Sequence, residues 1–290
     1  MKFLNFQSNM AIDTLIKRST LDNRTITTQV QTIIEEVRSL GDEALKMYTR
    51  KFDGVCLNSL IISKKEMIAA EARISRPLKE AIQLAISNVK AFHEAQKPAD
   101  INVEVMQGVF CRQTAVPVER VGLYVPGGTA PLFSSVIMLA LPAVLAGCRE
   151  IVLVTPPNKT GTVPDEILYA ALAVGLDRVY CVGGAQAIAG LTFGTQTIPK
   201  VDKILGPGNQ FVTVAKQLAF LQGVAIDMPA GPSEVAVIAD ETAVSQFVAA
   251  DLLSQAEHGS DSQVVLICTS NTKIREIENE LNEALKVLPR

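Results

Sequence analysis

The sequence predicts an α/β fold in which a mainly parallel sheet follows a helical N-terminal region. In the N-terminal region, apolar residues recur at helical spacing. From residue 121 onward, short strands and helices alternate, and the predicted strands are apolar almost without interruption. Such strands are typical of parallel sheets whose two faces are both covered by helices.

The first predicted helix carries Val30, Ile33 and Val37 on one face. Gly41 then interrupts the helical pattern, and a second helix is expected directly after it. Asp42 is predicted to cap this second helix, because its short carboxylate side chain can accept hydrogen bonds from free backbone N–H groups.

Two further helix starts are predicted in this region. Ser63 and Glu66 have the spacing of a capping box. The segment Ser75-Arg76-Pro77 places a proline close to a helix start, where its missing N–H costs nothing. A β-branched run over residues 109–114 then predicts a lead-in strand.

The alternating part of the chain supports a division into three regions. We expect a helical N-terminal region with its lead-in strand over 1–118, a nucleotide-binding type of α/β domain over 119–232, and the start of a second α/β domain over 233–290. The predicted strands cover residues 121–125, 151–154, 179–182, 201–205, 235–238 and 264–268.

Composition excludes several functional classes and suggests a location. The 27 Lys and Arg residues are balanced by 30 Asp and Glu, which argues against a nucleic-acid partner bound through its phosphates. The N-terminus lacks the apolar core of a signal peptide, and no stretch approaches the roughly 18 apolar residues of a membrane span. The five cysteines are scattered, as is usual for reduced thiols. We therefore expect a cytoplasmic protein with no membrane partner.

Four predicted strand ends are rich in glycine and carry polar residues: 123–128, 181–186, 205–209 and 228–234. In a parallel sheet, ligands bind at the carboxyl ends of the strands. Glycine lets a backbone approach a ligand closely, and helix N-termini offer free N–H groups to phosphates. Two interpretations remain open here: a nucleotide crevice, or turns that need glycine for purely structural reasons.

The dinucleotide fingerprint of a standard Rossmann site is missing. Gly206 and Gly208 match its first two glycines, but Phe211 occupies the third position, where a helix needs a small residue to pack on its strand. The sequence therefore predicts that any dinucleotide binds by another arrangement.

One further segment has residues that can bind a metal. Gln255 and His258 are three residues apart near the end of a predicted helix, so they share a face. Imidazole is a common zinc ligand, while an amide oxygen is an uncommon one. The alternative is that His258 is a surface residue stabilised by the helix dipole. No G-x-S-x-G elbow occurs, so the sequence does not predict a serine hydrolase.

Several of these segments together resemble the histidinol dehydrogenase family. The resemblance is carried, in order, by residues 41–45, 121–128, 182–187, 206–209, 227–234 and 251–259. It implies incomplete Rossmann-like domains, a homodimer, and the NAD- and zinc-dependent oxidation of L-histidinol, through the aldehyde, to L-histidine. This reaction is the last step of histidine biosynthesis. Carried over by motif, Tyr124, Gln186 and Asn209 are expected to bind NAD.

The same resemblance implies a substrate and metal site. Ser233 is expected to contact histidinol, and Gln255 and His258 are expected to contact both zinc and histidinol. The family's catalytic pair, an adjacent Glu and His, corresponds to positions beyond residue 290, as do two further zinc ligands. We therefore expect a C-terminally truncated chain that is inactive or nearly so when alone and that self-associates or expresses poorly. The alternatives are a non-catalytic NAD-binding or scaffold remnant, or one half of a split enzyme.

Overall fold

The computed structural model describes residues 23–128, 130–229, 234–257 and 262–288. Backbone contacts divide the described residues into two units, one within residues 24–229 and the other formed by residues 234–257 and 262–288 together with Asn23. Among the described residues, no helix is long and apolar enough to cross a bilayer.

The unit of residues 24–229 contains eight described helices and eight described strands. Its helices are α1 Asn23–Leu40 (whose first residue is counted with the other unit), α2 Asp42–Asp53, α3 Lys64–Glu71, α4 Arg76–Ala95, α5 Phe133–Ala146, α6 Asp165–Ala173, α7 Gly184–Phe193 and α8 Gln210–Leu221. Its strands are β1 Ile61–Ser63, β2 Ile101–Met106, β3 Val109–Gln113, β4 Arg120–Tyr124, β5 Glu150–Thr155, β6 Arg178–Cys181, β7 Lys203–Leu205 and β8 Ala225–Ile226.

Six of these strands form one sheet in the order β1-β6-β5-β4-β7-β8. All neighbouring pairs are parallel except β1 and β6, which are antiparallel. The predicted mainly parallel sheet is thereby confirmed. Because β4, β6 and β7 run in the same direction, the glycine-rich segments that follow them emerge at one edge of the sheet.

Helices cover both faces of this sheet. On one face, α1, α2, α7 and α8 pack into a core that includes Val30, Leu45 and Ile188. On the other face, α3 to α6 pack into a second core that includes Met67, Ile82 and Ile137. The N-terminal helices therefore contribute to the same layered structure as the sheet, and β1 joins them to its edge.

The predicted helix starts are confirmed with one exception. Ser63 forms the predicted capping box, since its side chain accepts from the Glu66 N–H while the Glu66 carboxylate accepts from the Ser63 N–H. Asp42 is not a cap, so that prediction is wrong. Gly41 occupies the N-cap position with φ 60°, and the Asp42 carboxylate instead accepts hydrogen bonds from the N–H and hydroxyl of Thr197.

Strands β2 and β3 form a separate antiparallel hairpin. The predicted strand at 109–114 corresponds to β3, but its partner β2 was not predicted. Every residue of both strands is exposed, including Val105 and Phe110. A two-stranded hairpin with both faces in water is only marginally stable by itself.

The other unit is described for residues 234–257 and 262–288. Strands β9 Glu234–Ala239 and β10 Gln263–Cys268 pair in parallel, as predicted, with helices α9 Ser245–Ala256 and α10 Asn271–Val287. The helices and one face of the strands enclose a small core that contains Ala239, Leu252 and Ile277.

The opposite face of these two strands exposes a pair of isoleucines. Ile238 and Ile267 are direct partners in the register, and their side chains are 80% and 53% exposed. Parallel strands are normally covered on both faces, and exposed apolar strands promote association. We expect the 290-residue chain to associate with itself as its concentration rises, and sedimentation velocity over a concentration series would show this.

The double substitution Ile238→Lys and Ile267→Lys should reduce this association, because it places two like charges on the exposed face. Leu84→Lys is a matched control, since Leu84 is 64% exposed on a helix of the other unit. Equal effects of the two variants would contradict the assignment of association to this face.

Candidate dinucleotide site

Tyr124, the last residue of β4, lies at the centre of the glycine-rich strand ends. Its side chain is 4% exposed, and its hydroxyl oxygen accepts a hydrogen bond from the Gly184 N–H at 3.1 Å. Its backbone also lies directly against Gly206, the first residue after β7. Tyr124 therefore connects its own glycine-rich segment, 123–128, with the other two of this unit.

Gln186 lies in the first turn of α7, and its side chain is 1% exposed. Its Oε1 atom is buried and has no hydrogen-bond partner. Gly184 has φ 67°, and a Cβ atom there would lie 2.5 Å from the same Oε1 atom, so only glycine leaves room for this amide. A buried amide without a partner costs free energy, and a bound donor would recover it. This geometry fits a polar ligand such as NAD.

Asn209 positions the next helix. Its Oδ1 atom accepts a hydrogen bond from the Val212 N–H at 3.1 Å, which makes Asn209 the N-cap of α8. The N-termini of α7 and α8 both follow carboxyl ends of the parallel sheet, so their free N–H groups are available at the same edge. The structure thus places Tyr124, Gln186 and Asn209 along one edge of the sheet.

A buried lysine, which the sequence did not single out, holds the segment after β7 in place. The Lys216 Nζ atom donates to the Gly206 carbonyl at 2.8 Å and forms an ion pair with Asp227. The Asp227 carboxylate also accepts from the Gly206 N–H at 2.7 Å. The only signal in the sequence is a single lysine among the apolar residues of α8. The network fixes both backbone polar groups of Gly206.

Burial has the largest effect on the pKa values of the ionisable side chains at the strand ends. It raises the pKa of Tyr124 to about 12, with a smaller contribution from the Asp53 carboxylate, while the Gly184 N–H acts in the opposite direction. Burial also raises the pKa of the Cys181 thiol to about 12, again with a contribution from Asp53. A thiol with such a pKa stays protonated at neutral pH, so Cys181 is not a reactive nucleophile.

These raised pKa values predict a loss of stability at alkaline pH. Burial also raises the pKa of Tyr48 to about 12, supported by the hydrogen bond that its hydroxyl donates to Glu36. The folded state therefore favours the neutral phenols. This contribution to the free energy of unfolding is complete below pH 10 and disappears as the pH rises to about 12.

Urea unfolding at a series of pH values would measure this loss, and Tyr124→Phe is the matched variant. It should remove part of the decrease between about pH 10 and pH 12, because one of the two buried phenols that titrate there is gone. The same decrease in the variant and in the unmodified chain would contradict the assignment to Tyr124.

The predicted metal and substrate residues are only partly described. Ser233 and His258 lie outside the described residues. Gln255 belongs to the other unit, where it lies on α9, half-buried, with a buried Nε2 atom that has no partner. The described ranges contain no cluster of three or more His, Cys, Asp or Glu residues that could hold a metal ion. The described residues alone therefore do not form a zinc site.

Comparison with known proteins identifies the family. The family model described as histidinol dehydrogenase matches residues 16–290. The chain is 52% identical over 290 residues to a histidinol dehydrogenase of Bacteroides thetaiotaomicron. The aligned residues cover 100% of this chain and 68% of that protein. The chain belongs to the histidinol dehydrogenase family. A histidinol dehydrogenase of Escherichia coli is 52% identical over 270 residues, which is 92% of this chain and 61% of that protein.

Solved structures agree with the family assignment. The crystal structure of histidinol dehydrogenase from Elizabethkingia anophelis matches with a TM-score of 0.88 and 49% identity, covering 96% of this chain and 64% of that chain. The chain thus spans about two thirds of the length of these histidinol dehydrogenases. Betaine aldehyde dehydrogenase from Staphylococcus aureus shares the fold alone. It matches with a TM-score of 0.51 and 16% identity, covering 93% of this chain and 50% of that chain.

Proposed function

We propose that this chain takes part in the NAD-dependent oxidation of L-histidinol to L-histidine through the aldehyde, the last step of histidine biosynthesis. The observation that carries this proposal is the family match over residues 16–290, which includes every glycine-rich strand end. The buried Oε1 atom of Gln186, which has no hydrogen-bond partner among the described residues, supports the dinucleotide part of the proposal.

In this proposal, Tyr124, Gln186 and Asn209 bind NAD, which accepts hydride when it is bound. Tyr124 holds the Gly184 N–H through its hydroxyl and thereby fixes the first turn of α7. Gln186 supplies a buried carbonyl that can accept from a donor of the ligand. Asn209 caps α8 and leaves the N–H groups of its first turn oriented toward a phosphate.

The proposal also assigns the substrate and metal contacts. Ser233 contacts L-histidinol, and Gln255 and His258 contact both histidinol and Zn²⁺. Bound zinc supplies a Lewis acid that can orient the imidazole and amino groups of the substrate. Two ligands cannot complete a zinc coordination shell, so further ligands are required.

The remaining parts of the proposal concern location and assembly. We propose a cytoplasmic protein that acts as a homodimer and needs no nucleic-acid or membrane partner. The balanced charge, with 27 basic and 30 acidic residues, supports the exclusion of nucleic acid.

The polypeptide of these 290 residues should turn over histidinol poorly when it is alone. The family resemblance assigns the general acid/base pair to positions that these residues do not include, and such a pair contributes about 100-fold or more to the rate. We expect NADH formation from L-histidinol, NAD and Zn²⁺ to be at least about 100-fold slower than with the Bacteroides thetaiotaomicron relative. Comparable rates for the two proteins would contradict this expectation of low activity, while leaving the proposed reaction intact.

A complementation experiment separates the two alternatives, one half of a split enzyme and a non-catalytic remnant. Adding the last third of the Bacteroides thetaiotaomicron relative as a separate polypeptide should restore NADH formation if the chain acts as one half of an enzyme. NAD binding with no turnover under any of these conditions would favour the non-catalytic alternative.

A further inference from the structure

Helices α2 and α7 pack side by side and run in opposite directions. At one end, the Asp42 N–H donates to the side chain of Gln196, just beyond the C-terminus of α7. About one turn further along α2, Leu45 lies against Gly190. The 12 residues of α2 and the 10 residues of α7 have similar lengths, so Asp53 at the end of α2 lies level with the first turn of α7.

Three buried polar atoms on these two helices have no hydrogen-bond partner among the described residues. They are the Thr49 hydroxyl, Asp53 Oδ2 and Gln186 Oε1. Thr49 and Asp53 are four residues apart and therefore lie on the same face of α2. Unpartnered buried polar atoms are rare, and three of them on facing helices indicate a site for a polar ligand.

The carboxylate of Asp53 is close enough to the strand ends to affect the pKa values of ionisable side chains there. Besides burial, it contributes to the raised pKa of both Tyr124 and Cys181, the last residues of β4 and β6. Burial also raises the pKa of Asp53 itself, and no cation among the described residues lowers it. Within the part of the chain that the structure describes, Asp53 is thus a partly buried acid without a basic partner, and it lies beside the helix N-terminus proposed to bind the dinucleotide.

We propose that the Asp53 carboxylate accepts hydrogen bonds from the adenosine ribose hydroxyls of NAD and so selects NAD over NADP. This inference rests on the proposed function. A carboxylate and an amide oxygen together require a ligand that donates hydrogen bonds, and next to the pyrophosphate of a dinucleotide those donors are the ribose hydroxyls. Standard Rossmann sites use an acid for the same purpose, although they place it differently. A 2′-phosphate would meet the negative charge of Asp53.

The test is calorimetric titration of the unmodified chain and of Asp53→Asn with NAD and with NADP. A hydrogen bond to a charged group contributes about tenfold or more to affinity, so Asp53→Asn should weaken NAD binding by about that factor. NADP binding should be unchanged or stronger. The Kd for NADP divided by the Kd for NAD should therefore fall at least about tenfold.

Asp42→Asn is the matched control, at the other end of the same helix. It weakens the hydrogen bonds to Thr197 and should lower stability without changing the ratio of Kd values. Asp53→Ser provides a second variant that also removes the charge and should likewise lower the ratio. Unfolding midpoints from circular dichroism would show which variants are folded.

The outcomes separate the inference from the proposed function. An unmodified chain that is folded but does not bind NAD would overturn both. NAD binding that keeps the same preference over NADP in folded Asp53→Asn and Asp53→Ser would overturn the inference and leave the proposed function intact.

Discussion

Replacing Gly206 with alanine is expected to lower the free energy of unfolding by about 3 kcal/mol or more and to weaken NAD binding. Gly206 has φ 130°, a conformation that residues with a side chain rarely adopt. A Cβ atom would also lie 2.1 Å from the Tyr124 carbonyl oxygen, which is backbone and cannot move aside as a side chain could. The substitution therefore combines strain with a collision at the proposed NAD site.

Gly175→Ala is the control that separates these two causes. Gly175 has φ 98°, and a Cβ atom there would have no neighbour within 4 Å. This control should therefore show only the conformational cost, about 1–2 kcal/mol. Urea unfolding of both variants measures the difference. Equal destabilisation would show that the contact with Tyr124 adds nothing.

Lys216→Met should destabilise the chain by about 3 kcal/mol and move the segment after β7. It removes the buried ammonium that binds the Gly206 carbonyl and leaves the Asp227 carboxylate without its cation. Breaking a buried ion pair costs about 3–5 kcal/mol, and the lower end applies here because Asp227 is 30% exposed and partly screened by water.

A double-mutant cycle tests this coupling. Adding Asp227→Asn to Lys216→Met should recover part of the lost stability, because the unpaired charge disappears while the amide can still accept from the Gly206 N–H. Lys286→Met is the exposed control, and its change should stay within about 0.5 kcal/mol. If Lys216→Met resembled this control, the buried network would have no role in stability.

Much of the fold was predictable because local patterns and long-range packing favour the same structure. The apolar strands and the glycine-rich segments after them predicted the parallel sheet and the edge at which Tyr124, Gln186 and Asn209 lie. The Ser63 capping box was equally predictable, since both of its hydrogen bonds form within four consecutive residues.

The features that the sequence did not reveal depend on residues far apart in the chain. Strand β1 has only three residues, too few to show a periodicity. Asp42 matches a helix cap, but its carboxylate is engaged by Thr197, 155 positions away. The ion pair of Lys216 with Asp227 and the place of Asp53 beside α7 arise only when the helices pack on the sheet.

Calorimetric titration tests most directly whether this member of the histidinol dehydrogenase family binds NAD at the strand ends around Gln186. The unmodified 290-residue chain should bind NAD saturably at one site. Gln186→Met, which keeps the shape of the side chain but removes its amide, should weaken that binding about tenfold or more while the unfolding midpoint stays close to that of the unmodified chain. A folded, unmodified chain that gives no heat of binding at about 1 mM NAD would contradict the claim.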